Sequence, residues 1–440
     1  MKKFSIVQAV ILGVASIAIL AAVFMFAFGG RDDGQSALSQ VVIWGTIPKE
    51  TFSELFRKEF SDETEDYSHI IYVEKPEVTF EEDFVAALAE GRGPDLILFR
   101  ETQLLENKDR LIRIPYTSYD KRSYQETFIE EANILALDEG FAGFPFYLDP
   151  LVLYYNKDIL NSNGIARPPV TWTELLSITP TLTEGDSSFN ISKSAIGLGT
   201  FDNVVNAKEI VWTLIMQAGN NVIIKKENRE DEVDIYESIL QERLNFSVEP
   251  AQAALNFYTQ FSNPGKTIYS WNRSLPNTQD FFLAGNSAFY LGFASELPTL
   301  RLKNPNLNFD VAVLPQSQTS QKKTTYGKMY FLGMTRDVKD LNSAFSTAVQ
   351  LSNKNTQEKL SKITGLPSVR RDILTSEESS NSFDPIFRRS ALISKGILEP
   401  NKSVTGSIVR KMVESIISGE SEIKEAVNRA DGQLNLELEK

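Results

Sequence analysis

The sequence has no cysteine and a single histidine among its 440 residues. Without thiols there can be no disulfide, no thiolate nucleophile and no cysteine-ligated metal. A lipid-modified N-terminal cysteine is excluded as well. The folded part must be held by its core alone, which a chain of this length can supply. The one histidine, His69, opens a short apolar run and reads as a structural or surface residue rather than a catalytic base. A serine hydrolase needs such a base, and no Gly-x-Ser-x-Gly elbow is present. Gly197-Leu198-Gly199 is followed by Asp202 where a dinucleotide fingerprint needs glycine. There is no phosphate loop, and no acidic run has calcium-loop spacing. The chain therefore calls for no cofactor, no metal and no catalytic residue. With 58 Asp and Glu residues, a pair could serve a glycosidase, but sequence alone does not set two of them at a working distance.

Charge is also missing from Phe4 to Gly30. A bilayer core needs about 20 apolar residues in helix, and this run is long enough. Lys2 and Lys3 precede it and Arg31, Asp32 and Asp33 follow, so the rest of the chain is expected outside the cell membrane. Two readings remain open for residues 1–30. They are a retained single-pass anchor or a cleaved secretory signal, whose apolar core would be shorter, roughly 7–15 residues. Both export the remainder of the chain.

The net charge is −13, and residues 1–31 hold three cations and no acid, so the remainder carries −16. Such a balance argues against nucleic acid and against anionic lipid as partners. A hydrophobic content of 42% with four tryptophans indicates a globular domain.

Residues 31–40 form a short polar linker, after which strands and helices alternate. Val41-Val42-Ile43-Trp44 is an apolar β-branched run that ends at Gly45-Thr46. Residues 48–60 place Phe52, Leu55, Phe56 and Phe60 on one helix face. Ile70–Val73 is a second strand. Residues 79–90 give a helix with Phe80, Phe84 and Leu88 on one face, stopped at Gly91. Asp95–Phe99 is a third strand. Near-continuous apolar strands separated by helices predict a parallel sheet covered on both faces, an α/β fold with ligand at the carboxyl ends of its strands.

Further on, 151–156, 286–291 and 309–314 read as strands. Helices are expected at 171–178 (capped by Thr171), 207–218, 249–262, 341–352, 404–418 and 421–430. The charged stretch 224–248 and the polar stretch 316–325 read as exposed loops or insertions.

Residues 140–158 place two aromatic clusters around Asp149-Pro150. This order resembles the segment that passes between lobes in extracellular solute-binding proteins of ABC importers, the family typified by the maltose-binding protein. Gly93-Pro94-Asp95-Leu96, Tyr155-Asn156-Lys157-Asp158 and Pro169-Val170-Thr171-Trp172-Thr173-Glu174-Leu175 are similar to family segments in the matching order. So are Phe281–Phe289 and Val313-Leu314-Pro315. Together they span most of residues 41–430.

The resemblance implies a two-lobed periplasmic-binding-protein type II fold, with a solute-binding domain over 41–440. One lobe would take about 41–145 plus 328–366, and the other about 146–327 plus 367–440. Crossings are expected near 144–148, 325–331 and 364–368. It also implies a small-molecule ligand, a carbohydrate, handed as a monomeric carrier to an ABC permease, with no chemistry performed. The alternatives are a surface sensor or scaffold of the same fold, or an anchored glycoside hydrolase.

A sugar site combines aromatic planes with strong hydrogen-bonding groups. By position the candidates are Trp44, Arg100 and Glu101 at strand ends, and Tyr147, Asp149 and Tyr330 at the crossings. Asp202 and Asn203 precede a helix, Trp271 lies in a polar stretch, and Glu296 follows a strand. Trp44 could equally be core and Asp149 a turn cap, while Trp212 reads as core. Val404–Ile408 lacks the aromatic that maltose-type members place there. Phe99-Arg100-Glu101-Thr102 replaces their acid-plus-tryptophan pattern. Both departures count against a malto-oligosaccharide, and an arginine in the pocket would also suit a carboxylate or phosphate.

Overall fold

The computed structural model describes residues 38–56, 66–226, 234–243, 246–318, 322–376 and 381–440. The expected anchor at 1–30 and most of the linker lie outside these residues. Among the described residues, no helix is long and apolar enough to cross a membrane.

The expected N-terminal units form, although the helix expected over 48–60 is described only as Lys49–Glu54 and residues 57–60 lie outside the described residues. Strands β1 (Val41–Gly45), β2 (Ile70–Glu74) and β3 (Leu96–Arg100) pair in parallel, with β1 in the centre. Helices Lys49–Glu54 and Phe80–Ala89 connect them and bury Phe52, Phe80 and Phe84. Asp95, just before β3, explains the Gly-x-Pro-Asp segment. Its carboxylate accepts the Val42 N–H at 2.8 Å and the Lys339 N–H at 2.9 Å. The aspartate thus fastens β1 to the chain that leaves the strand on the other side of β3. His69 is structural too, with Nε2 2.9 Å from the Thr347 hydroxyl in the core.

Strand β4 (Phe144–Asn156) is the longest, at 13 residues. It is followed by β5 (Ile191–Ile196), β6 (Ser287–Phe293), β7 (Phe309–Ala312), β8 (Thr325–Thr335) and β9 (Ser394–Lys395). The sheet runs β2-β1-β3-β8-β4-β6-β5, with β7 also on β4 and β9 on β8. β4 pairs antiparallel with β8 from Phe144 to Pro150, then with β6 from Leu151 to Tyr155. The strand expected at 151–156 begins at Phe144 instead and includes Pro145 and Pro150, which lack the ladder N–H. The structure accommodates Pro145 at a register slip. Tyr330 faces Tyr147 but Phe331 faces Pro145, so the extra residue bulges where a donor is missing.

β4 and β8 thereby run through two hydrophobic cores. Phe144, Phe146, Leu148, Met329 and Phe331 belong to the first, with β1–β3. Leu151, Leu153 and Tyr326 belong to the second, with helix Ala207–Gln217 and the C-terminal helices Lys402–Ile417 and Ile423–Leu438. Helix Trp172–Leu182 is capped as expected, the Thr171 hydroxyl accepting from the Glu174 N–H at 3.2 Å.

Of the charged stretch 224–248, expected as an exposed insertion, residues 227–233 and 244–245 lie outside the described residues, and the rest is partly buried. Ile223–Lys225 and Tyr236–Ser238 form a hairpin, and Tyr236 enters the first core while Leu240 enters the second. Among its described residues, polar groups find partners on both sides. Asp234 meets Asp138, Lys225 and Arg113, and the Ser238 hydroxyl donates to Asp431 at 2.7 Å.

Candidate functional site

A cleft of about 450 Å³ opens where the two cores meet. Thr46, Glu77 and Phe80 line it from the side of the first core, and Lys208, Glu209 and Lys402 from the side of the second. Arg100 and Tyr330 form its floor, directly paired on β3 and β8. The location is the carboxyl end of β3, where a parallel sheet leaves its strand termini open.

Arg100 is held by its own backbone and by burial. Its N–H donates to the Gln103 side chain at 2.9 Å, which starts a 3₁₀ turn. Arg100 is 8% exposed, and its guanidinium lies 5.9 Å from the centre of the Tyr330 ring. Nη2 is 3.7 Å from Glu101. Glu101 is fully buried and accepts from the Tyr326 hydroxyl and the Met329 N–H, each at 2.9 Å. It locks β8 rather than presenting itself to a ligand.

Tyr147 and Tyr330 stack face to face, and Tyr330 reaches the cleft. Asp149 is buried beside them. Burial pushes its carboxyl above the ordinary range, while Lys328, opposite it on β8, and the Ser295 hydroxyl and N–H oppose that shift. Burial in turn lowers the Lys328 ammonium, whose Nζ sits 3.4 Å from the centre of the Phe293 ring.

The other sequence candidates have structural partners. Trp44 is half-buried at the end of β1, with Lys75 Nζ 3.7 Å over its ring. Asp202 is exposed and gripped by Arg410 through two 2.7 Å contacts. Asn203 bonds Thr200 and the Trp271 indole through its oxygen, and two carbonyls through its nitrogen. Trp271 is fully buried, edge-on to Phe281 at 5.3 Å. It is core, despite the polar stretch that carries it. Glu296 closes the turn after β6, accepting from Phe293 N–H at 2.8 Å, Asn206 at 2.9 Å and Gln279 at 2.8 Å. Trp212 is core as expected, its indole donating to Glu399 at 3.4 Å.

The family comparison agrees with this architecture. A model described as bacterial extracellular solute-binding protein matches residues 56–384. This chain belongs to that family. Membership places it among proteins that bind rather than transform.

Two relatives named simply as binding proteins, from Brucella abortus (strain 2308) and Brucella suis biovar 1 (strain 1330), are each 21% identical over 356 residues. That covers 79% of this chain and 81% of theirs. A cyclo/maltodextrin-binding protein complexed with maltotetraose superposes with a TM-score of 0.70 at 16% identity, covering 91% of this chain and 98% of that one. The GacH receptor of Streptomyces glaucescens GLA.O gives 0.68 at 16% identity, covering 92% and 100%. An ABC-transporter solute-binding protein of Thermotoga lettingae TMO bound with α-D-tagatose gives 0.65 at 18%, covering 91% and 100%. These likenesses establish a mixed α/β two-lobed solute-binding fold.

Within this solute-binding protein, sequence reading missed Lys208, Glu209, Glu77 and Lys402. One signal was present for the first two: Lys208-Glu209 is a charged pair opening an otherwise apolar helix. Lys208 is buried against Glu399, Nζ to Oε2 2.7 Å. Glu209 is half-buried. Burial would raise its carboxyl, but Lys208, Lys328 and Arg100 outweigh burial and hold it below the usual range. Glu77 pairs with Lys402 across the cleft at 3.1 Å, and Asn401 donates to Glu106 at 2.9 Å beside it. Nothing local marks these as neighbours, since more than 290 residues separate each pair.

Proposed function

We propose that this protein is a membrane-tethered extracellular receptor that captures a small carbohydrate between its lobes and delivers it to an ABC permease. The observation that carries this reading is the cleft. Its walls come from both cores, its floor is a crossing strand, and it combines an aromatic face with charged hydrogen-bonding groups. Carbohydrates need that combination. The sugars named with the three structural neighbours support the same ligand class.

The lobes would be about 41–145 plus 328–366 and 146–327 plus 367–440, hinged at 144–148, 325–331 and 364–368. Hinge closure on ligand is a known class of motion. Residues 1–30 would hold the domain at the membrane and 31–40 would give it reach. Glu77–Lys402 and Glu106–Asn401 would part and re-form as the cleft works. Tyr147, Asp149 and Trp44 would support the ligand-facing groups, with Arg100 and Tyr330 in contact.

Thermal unfolding of the full-length protein with a panel of sugars tests the reading. A ligand at 100 times its Kd adds about 2.7 kcal/mol to stability. A sugar that raises the midpoint supports capture. A panel of sugars that leaves the midpoint unmoved, while an amino acid or peptide raises it, would overturn the carbohydrate assignment.

A further inference from the structure

Arg100 carries a donor edge that the protein does not use. Its Nε and Nη2 are buried and, among the described residues, have no hydrogen-bond partner. Glu101 lies beyond hydrogen-bond reach of Nη2 at 3.7 Å, and its oxygens are already taken by Tyr326 and Met329. That same edge is the one other arginines here turn to paired oxygens. Arg370 grips Asp372 through Nε and Nη2, both at 3.0 Å, and Arg410 grips Asp202 with two 2.7 Å contacts. Buried donors left unpaired are costly. The edge at Arg100 is therefore best satisfied by a ligand that offers two neighbouring oxygens.

An anion offers such a pair, and so do two adjacent hydroxyls of an uncharged sugar. The charge of the walls decides between them. Four carboxylates line the cleft (Glu77, Glu81, Glu82 and Glu209) against three cations, Arg100, Lys208 and Lys402. Lys208 is already neutralised by Glu399 at 2.7 Å, and Lys402 by Glu77 at 3.1 Å. Among the lining carboxylates, Glu209 is the one that feels Lys208, Lys328 and Arg100 together. An ionised carboxylate accepts hydrogen bonds but donates none. An anionic ligand on Arg100 would repel Glu209 and leave it unmatched. A diol can give its oxygens to Arg100 and a hydrogen to Glu209.

We propose that Arg100 and Glu209 act as a donor–acceptor pair that selects an uncharged ligand with adjacent hydroxyls and rejects sugar acids and sugar phosphates. This rests on the reading of the cleft as a carbohydrate site.

The test is calorimetric titration of the full-length protein in a detergent without a sugar headgroup. The probes are maltotetraose, D-tagatose, two matched pairs (galactose with galacturonate and glucose with glucose 6-phosphate), and an amino acid and a peptide. The expected result is binding of a neutral sugar, with the acids weaker by about 100-fold, the scale of one lost charged hydrogen bond. Glu209→Gln should narrow that gap to below about tenfold. Arg100→Lys keeps the charge but loses the fork, and should weaken the neutral sugar by about 10- to 100-fold. Ligand-free unfolding midpoints check that each variant folds, and should Arg100→Lys fail to fold, Glu209→Gln carries the test. An acid that binds more tightly than its neutral partner overturns the proposal and leaves the carbohydrate reading standing. So does unchanged discrimination in Glu209→Gln. If every sugar fails to bind while an amino acid or peptide binds, both fall together.

Discussion

Tyr147 and Tyr330 stack across the paired crossing strands with ring centres 4.2 Å apart and planes 14° from parallel. The two residues face one another at the point where the ladder slips past Pro145. Tyr330 lines the cleft, and Tyr147 backs it. The stack therefore couples strand registry to the shape of the cleft floor.

Removing the support should be felt at both levels. Tyr147→Ala is expected to weaken sugar binding by about tenfold, because Tyr330 loses the surface that fixes its ring. In a Tyr147→Ala, Tyr330→Ala double-mutant cycle, denaturant unfolding should show a coupling of about 0.5–1.5 kcal/mol. Tyr147→Phe keeps the stack and should leave binding within about twofold. A coupling near zero would mean that the rings merely lie close.

The hairpin Ile223–Lys225/Tyr236–Ser238 makes a second kind of link between the cores. Asp234 accepts the Asp138 N–H at 2.9 Å and Lys225 Nζ at 2.7 Å, with Arg113 at 3.1 Å from its other oxygen. Its side chain is fully buried. Breaking a buried charged network by deleting one partner costs about 3–5 kcal/mol. Asp234→Ala should lower stability on that scale. The loss should persist at high salt, because buried pairs are screened little. By contrast, Arg122→Ala breaks the exposed pair with Glu126 and should cost under about 0.5 kcal/mol. Urea unfolding at low and high salt gives both numbers. A wild-type midpoint for Asp234→Ala would show that the hairpin does not stabilise the join between the cores.

Glu131 predicts a pH dependence. It is buried against the segment after β9 and accepts the Gly396 N–H. Burial first, and then the neighbouring Glu101, push its carboxyl well above the ordinary range. The folded state therefore holds this proton at pH values where the unfolded chain has released it. Stability from this group is present below the unfolded pKa and declines as pH rises toward the folded one. Glu131→Gln keeps an acceptor for Gly396 and has no proton to lose. Its unfolding midpoint should exceed the wild type at pH 8, with the difference vanishing near pH 4. Parallel profiles for the two proteins would show that Glu131 does not titrate across this range.

Much of the fold was legible because local patterns and tertiary structure agree. The apolar runs before Gly45 and Arg100 are buried parallel strands, and the Thr171 cap sits where its helix starts. The misreadings have a common physical cause, which is long-range contact. The apolar run 151–156 reads as a strand by itself, whereas Phe144–Pro150 continues it through pairing with β8. Tyr236 lies in a charged stretch, yet two cores meet over it. Trp271 follows Ser270, whose hydroxyl is tied down by the Ile196 carbonyl at 2.9 Å, so the polar stretch folds inward. The candidate site was half legible. Arg100 and Tyr330 lie at strand positions that sequence marks, whereas Glu77 and Lys402 become neighbours only through the closed chain.

Lys208 and Glu399 supply the last prediction, which separates their pairing from their burial. Nζ and Oε2 are 2.7 Å apart, with the lysine side chain 10% exposed and the glutamate fully buried. Burial lifts the Glu399 carboxyl above its ordinary range, and Lys208 opposes that lift. Lys208→Met leaves the carboxylate without its cation and should cost about 3–5 kcal/mol. The double variant Lys208→Met, Glu399→Leu removes both charges and keeps apolar volume, which is often neutral or stabilising for buried pairs. It also leaves the Trp212 indole without its acceptor, so recovery should stop about 1 kcal/mol short. Chemical unfolding of the wild type and the two variants measures each step. Because Lys208 lines the cleft, the double variant should fold yet bind sugar more weakly. Full recovery of stability together with unchanged binding would show that the pair serves neither the cleft nor the indole.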